Sequence, residues 1–205
     1  MITYHGLPGP RICDYLSREA SRERYAAGTE FQIGEITMIG NTGTYVDSPF
    51  HRYEDGADLE DLPLSSLVDL ETVIVRYNPG EKRAIDSVNL KEADVEGRAI
   101  LFNTGWDSQW RSSQYHIGHP YLTGELAQKL VEMRAVLVGI DSFNIDATRD
   151  GNRPAHTILL GHDIPIVEHL RGLGELPDRG FKFFAVPVKV RQFGTFPVRA
   201  FGITD

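Results

Sequence analysis

Ala135 to Ile140 is an unbroken apolar run, and it restricts the fold more than any other stretch of the chain. A run this short with no polar alternation reads as a strand covered on both faces, and Asp141 stands at its end. The segment before it has helical spacing. Thr123 can cap a helix whose Leu126, Leu130 and Met133 line one face. Upstream, Ala99 to Asn103 reads as a second buried strand ending in T-G-W-D, and Glu71 to Tyr77 as a third. Strand, helix and strand alternate, so the expected class is α/β with a mixed sheet. Pro63 opens a short helical turn over Leu64 to Leu67, and Ser87 to Ala93 reads as a short helix. Phe31, Ile33, Ile36 and Met38 suggest a further strand, with Gly34 marking a bulge. A chain of 205 residues can bury a sizeable core, and no repeat, low-complexity tract or linker divides it. A single domain over 1–205 is the expectation.

The net charge of −8, with no Lys/Arg block to neutralise phosphates, disfavours nucleic acid as a partner. Cys13 is the only cysteine, which excludes an internal disulfide and a Cys-based zinc knuckle; between Ile12 and Asp14 it reads as a packing residue. The N-terminal M-I-T-Y-H-G-L-P-G-P-R lacks the apolar core of a signal peptide, and no run approaches membrane-spanning length. A cytoplasmic protein with no membrane partner is expected. Residues 11–28 are polar and arginine-rich, and read as a surface arm or short helix able to meet a partner subunit. His5 falls in a turn-forming loop, and His116 and His119 beside Gly118 and Pro120 read as surface or pocket-rim residues.

Chemistry concentrates in two places. The first is Asn41 to His51, N-T-G-T-Y-V-D-S-P-F-H, where a carboxylate, Asp47, precedes an imidazole, His51, by four residues. If Asn41 to Asp47 is extended, Asn41, Gly43, Tyr45 and Asp47 share a face. Pro49 then pins the backbone before His51. The bland alternative is a tight turn with a hydrogen-bonded Asp. The second place is Pro154-Ala155-His156, which opens an apolar helical turn, with Glu168 twelve residues on in I-P-I-V-E-H-L. Burying an unpaired carboxylate beside Val167 and Leu170 costs several kcal/mol unless it is neutralised or meets a cation. A solvated Glu168 and a first-turn His156 are the structural alternatives.

The 41–51 run resembles the signature of the bacterial cyclase and kynurenine formamidase family, H-x-G-T-H-x-D-x-P-x-H. Gly43, Thr44, Asp47, Pro49 and His51 fit it, whereas Asn41 and Tyr45 replace its first two histidines. N-T-G-W at 103–106, V-G-I-D-S-F-N-I-D at 138–146 and F-F-A-V-P-V-K-V…G-T-F-P-V-R-A at 183–200 resemble the family in the same order. The resemblance implies a mixed or barrel-like sheet flanked by helices, of the swivelling β/β/α type. It also implies two divalent metals, one on the two signature histidines and Asp47, the other on Asp47, His156 and Glu168. Only the second set survives here, so one divalent metal is expected, zinc first and manganese or iron as alternatives. His51 matches the family's acid/base histidine.

The reaction implied is hydrolysis of an amide, formamide or lactam, such as N-formylkynurenine, by a metal-activated water of pKa about 7. Tyr45 is expected to donate a hydrogen bond to a developing oxyanion, with Asn41 and Trp106 as substrate-binding residues. Family members commonly form homodimers or homotetramers. Two other readings stay open: a catalytically reduced binding protein on the same fold, and a metal-dependent dehydratase or lactonase. No G-x-S-x-G, H-E-x-x-H or P-loop occurs, so serine-elbow, zincin and nucleotide chemistry have no visible machinery.

Overall fold

The computed structural model describes residues 6–78, 80, 82–86 and 88–204; His5 and Ser87 lie outside that set. In chain order the elements are β1 (Arg11–Leu16), α1 (Arg18–Arg22), β2 (Ile33–Thr37), β3 (Tyr45–Asp47), β4 (Leu70–Arg76), β5 (Ala84–Ile85), α2 (Glu92–Val95) and β6 (Ala99–Asn103). They continue with β7 (Tyr121–Leu122), α3 (Gly124–Glu132), β8 (Leu137–Ile140), α4 (Pro154–Leu160), β9 (Ile166–Glu168), β10 (Phe181–Phe184), β11 (Thr195–Pro197) and β12 (Phe201–Thr204). The main sheet has eight strands in the order β11-β3-β9-β8-β6-β4-β10-β12. Its centre, β4-β6-β8-β9, is parallel, and antiparallel strands extend it on both sides, so the sheet is mixed as expected.

The unbroken apolar runs follow from cover on both faces. In β6, Ile100 and Phe102 join one core with Val138 and Ile140 of β8 and the buried faces of α3 and α4; Ala99 and Leu101 join the opposite core with Leu137, Val167 and Phe183. Each fully buried Leu, Ile or Phe contributes about 2 kcal/mol of transfer free energy, and no polar position remains on either face to break the pattern. Thr123 Oγ1 accepts from Leu126 N at 3.3 Å, the cap that starts α3. Asp141, just beyond β8, accepts from Thr104 N (2.8 Å), Gly105 N (2.8 Å), Thr104 Oγ1 (2.6 Å) and Asn103 Nδ2 (3.1 Å), tying together the ends of β6 and β8. Burial lifts its carboxyl to about 6 against the pull of those donors.

Several expectations change. Residues 11–28 are not simply an arm or helix: β1 pairs antiparallel with β2 in a separate two-stranded ribbon, and α1 is a single short helix after it. The register slips between Asp14 and Leu16, so the extra residue is Tyr15 in β1, opposite the Gly34 that suggested a bulge. Ile12, Tyr15, Ile33 and Ile36 are all exposed on this ribbon, and Cys13 is exposed rather than packed. The helix expected over 87–93 is α2, beginning at Glu92. The reason is local: the Asp94 carboxylate accepts from Lys91 N at 3.2 Å and fixes the start there. Among the described residues no helix is long and apolar enough to cross a membrane.

Candidate metal centre and its cleft

β3 carries Tyr45 and Asp47 on one face, while Val46 between them enters the core. In the antiparallel register Tyr45 lies opposite Glu168 of β9, and on its other side Asp47 lies opposite Thr195 of β11. Pro49 to His51 form one 3-10 turn after β3, which brings His51 back toward Asp47. His156 occupies the first turn of α4. That helix is held by Asp146, whose carboxylate accepts from Ala155 N (2.7 Å) and His156 N (3.1 Å). Four segments distant in sequence thus converge.

Asp47 is fully buried. Its Oδ1 accepts from the Thr195 hydroxyl and lies 3.7 Å from His51 Nδ1. Its Oδ2 has no hydrogen-bond partner among the described residues and lies 3.7 Å from His156 Nε2. The same Nε2 is 3.7 Å from Glu168 Oε1, and the ring's other nitrogen, Nδ1, is 2.6 Å from Asp146 Oδ2. Glu168 Oε1 also accepts from Ile145 N at 2.6 Å, while Oε2 accepts from the Tyr45 hydroxyl at 2.5 Å and from Asn144 Nδ2 at 3.3 Å.

Electrostatics follow this geometry. Burial drives Asp47 upward, but the attraction of the His156 and His51 rings and the hydrogen bond from Thr195 win and hold it below the usual carboxylate range. Burial would lower His156; Asp146, Asp47 and Glu168 overcome it and push the imidazole up to about 10. Glu168 moves up, through burial and the neighbouring Asp47 charge. The adjacent His169, at φ 58° and packed with Tyr115 and Tyr45, is driven down to about 3 by burial.

Two carboxylates and an imidazole around a buried oxygen lacking a donor form a donor set that fits a divalent cation. Ligand atoms of Asp47, His51 and His156 all lie within 4.8 Å of one another. That grouping has His51 where the sequence reading has Glu168, although Glu168 Oε1 is as close to His156 Nε2 as Asp47 is. Glu168 is the buried alternative to His51: it accepts from Tyr45, Asn144 and Ile145, whereas His51 is bonded to Thr195 and its side chain is 34% exposed. The Asp146 contact on Nδ1 is the carboxylate–histidine arrangement that orients metal-binding imidazoles. Among the described residues no comparable set includes the Tyr45 position: its hydroxyl is bonded to Glu168, and its fully buried side chain does not line the cleft beside His51 where an oxyanion role would need it.

Beside His51 a cleft of about 500 Å³ opens, lined among others by Asn41, Phe50, Gln192, Phe193 and Thr195. Asn41 lines this cleft. Trp106 does not: it is 7% exposed, donates Nε1 to Tyr115 O at 3.0 Å, and packs with Tyr115 and Phe143 away from this cleft. A strand end presenting Trp106 suggested a substrate wall, and close packing with neighbouring aromatic rings explains its burial instead. His119 likewise is buried, with Nδ1 against Pro120 O at 3.0 Å, and lines a separate groove; His116 is half-buried.

Comparison with known proteins fits this arrangement. The model of the Cyclase family, described as "Putative cyclase", matches residues 7–147, well over half of the chain. The chain belongs to the Cyclase family. Among curated relatives of this family member, the kynurenine formamidase of Erythrobacter litoralis is 30% identical over 172 residues, covering 82% of this chain and 74% of that one. The kynurenine formamidase of Bacillus cytotoxicus is 29% identical over 188 residues, covering 90% and 85%. In fold, the cyclase chain is similar to isatin hydrolase A from Labrenzia aggregata (TM-score 0.79, 19% identity, 100% and 88% covered). It is also similar to a potential metal-dependent hydrolase with cyclase activity (TM-score 0.69, 24% identity, 94% and 96% covered).

Sequence reasoning missed Asp146, Asn144 and Thr195. Asp146 and Asn144 end the 138–146 segment and Thr195 lies in the G-T-F-P segment, so the family likeness marked their neighbourhoods without giving their roles.

Proposed function

We propose that this Cyclase family member is a metal-dependent hydrolase of C–N bonds outside peptides, acting on a formamide or lactam. The unpartnered Oδ2 of buried Asp47, facing His156 Nε2, carries the reading. Asp47, His156 and Glu168 would hold one divalent ion, zinc being favoured by the mixed N and O donors. When bound, that ion supplies Lewis acidity and lowers the pKa of water. The chain's own residues do the rest. His51 takes a proton from the attacking water and returns it to the leaving amine. Thr195 fixes the ring, Asp146 holds His156, and Asn41 with Phe50 and Phe193 orients the substrate. The names of the curated relatives and the family placement support this class.

Two features depart from the two-metal signature. Asn41 and Tyr45 stand at its histidine positions, and Tyr45 is engaged with Glu168, which supports a stoichiometry of one ion per chain. The exposed ribbon, with Ile12 across from Ile36, supports pairing of two copies. Elemental analysis with a formamidase assay tests the proposal. One zinc per chain and chelator-sensitive release of formate from an aryl formamide are expected; a chain that binds no divalent ion on titration overturns it.

A further inference from the structure

The cleft beside His51 is an unusual environment for an amino-acid substrate. Apart from titratable His51, none of the described residues lining it is a charged side chain; its polar groups are the amides of Asn41 and Gln192 and the hydroxyl of Thr195. Phe50 and Phe193 supply aromatic surface. The nearby guanidinium groups are engaged elsewhere: Arg191 Nε bonds Glu60 at 2.7 Å, and Arg52 Nε sits 3.3 Å from Thr157 with its guanidinium over the Tyr53 ring.

The wall is also tied down. Gln192, at φ 55°, donates its N–H to buried Asp58 at 2.6 Å, and Leu59 N donates to Phe193 O at 3.1 Å. A Cβ on Gly40 would lie 2.4 Å from Thr195 O, and one on Gly194 would lie 2.5 Å from His51 N. Backbones pressed this closely leave little freedom to swing a charged side chain into the cleft.

We propose that the cleft selects neutral, flat aryl amides, the ring held by Phe50 and Phe193 and the polar edge by the amides of Asn41 and Gln192, and discriminates against substrates carrying an ammonium–carboxylate tail. A carboxylate brought here would lose water without gaining a cationic partner from the lining, and an ammonium would find no carboxylate among it. A neutral carbonyl edge needs only the donors and acceptors that two amides offer. Asn41 and Gln192 are thus specificity-determining residues. The inference rests on the hydrolase reading.

The test uses full-length zinc-loaded protein and a matched pair: 2-formamidoacetophenone, which is neutral, and N-formylkynurenine, which has the same reacting group with an amino-acid tail. Expected is a kcat/KM for the neutral compound about tenfold or more above that for the tailed one. Gln192→Arg should narrow or reverse that ratio, and Phe193→Ala should lower kcat/KM about tenfold for both. Equal turnover of the pair, or preference for N-formylkynurenine, overturns the proposal. Calorimetric binding of the two products, 2-aminoacetophenone and kynurenine, gives a readout independent of turnover. Tighter binding of 2-aminoacetophenone supports the proposed selectivity even if neither formamide is hydrolysed, a result that would count against the hydrolase reading alone. Tighter binding of kynurenine, or binding of neither, overturns the selectivity.

Discussion

Thr195 sets the tautomer of His51. The Asp47 carboxylate can only accept, so the Thr195 hydroxyl spends its single proton there, and its oxygen must then accept from His51 Nδ1 at 2.9 Å. The neutral ring consequently keeps its lone pair on Nε2, ready to take a proton. Thr195→Val, which preserves shape but removes the hydroxyl, should lower kcat about 100-fold with metal content unchanged. Thr195→Ser should restore most of it. Nitrogen chemical shifts of His51 would show whether the tautomer moves with the rate.

The Tyr45 hydroxyl bonds Glu168. With Oε2 taken by the phenol and Asn144, Oε1 is the oxygen left toward His156. Tyr45→Phe should weaken zinc binding about 10- to 100-fold in a chelator competition, as loss of a group orienting a ligand does. An unchanged affinity with a fall in kcat alone would instead favour an oxyanion role.

The proposed metal and a proton would compete at His156. Its pKa rises from 6.5 to about 10 in the metal-free protein, so its contribution to stability is complete below 6.5 and is lost as pH rises through 10. Melting curves in excess chelator should therefore show Tm falling between pH 7 and 10, and His156→Gln should flatten that slope. Zinc bound as proposed would displace the same proton, so its apparent affinity should increase with pH over this window.

Gly194 is where the cleft wall meets the turn that carries His51. A Cβ there would lie 2.5 Å from His51 N and 2.6 Å from its Cα, both backbone atoms without an easy escape. Gly194→Ala should cost about 1–3 kcal/mol in denaturant unfolding and displace His51. An unperturbed Tm and rate would mean that the 192–195 segment yields easily.

The strands were legible where one physical demand dominated. β6 and β8, covered on both faces, keep their inner positions apolar, with Asn103 closing β6, and their boundaries nearly coincide with the segments read as strands at 99–103 and 135–140. β1 was not legible, because R-I-C-D-Y-L gains its strand state from pairing with β2 rather than from burial. Asp47, His51, His156 and Glu168 stood out through composition, spacing and likeness to a known signature. Their orienting partners did not: the importance of Asp146 depends on a 2.6 Å contact with His156, and that of Thr195 on a contact across 144 residues of chain. Trp106 misled because a side chain at a strand end can enter a cleft or a core, and packing with Tyr115 and Phe143 decides which.

The facing of positions 45 and 168 across β3 and β9 has an evolutionary reading. Tyrosine and histidine codons differ at a single base, so one nucleotide change could exchange the phenol that steadies a glutamate for an imidazole able to compete for an ion of its own. With the strand alignment already placing that side chain against the carboxylate, and with asparagine codons likewise one base from histidine at position 41, two such changes could move a lineage between mononuclear and dinuclear catalysts without rebuilding its scaffold.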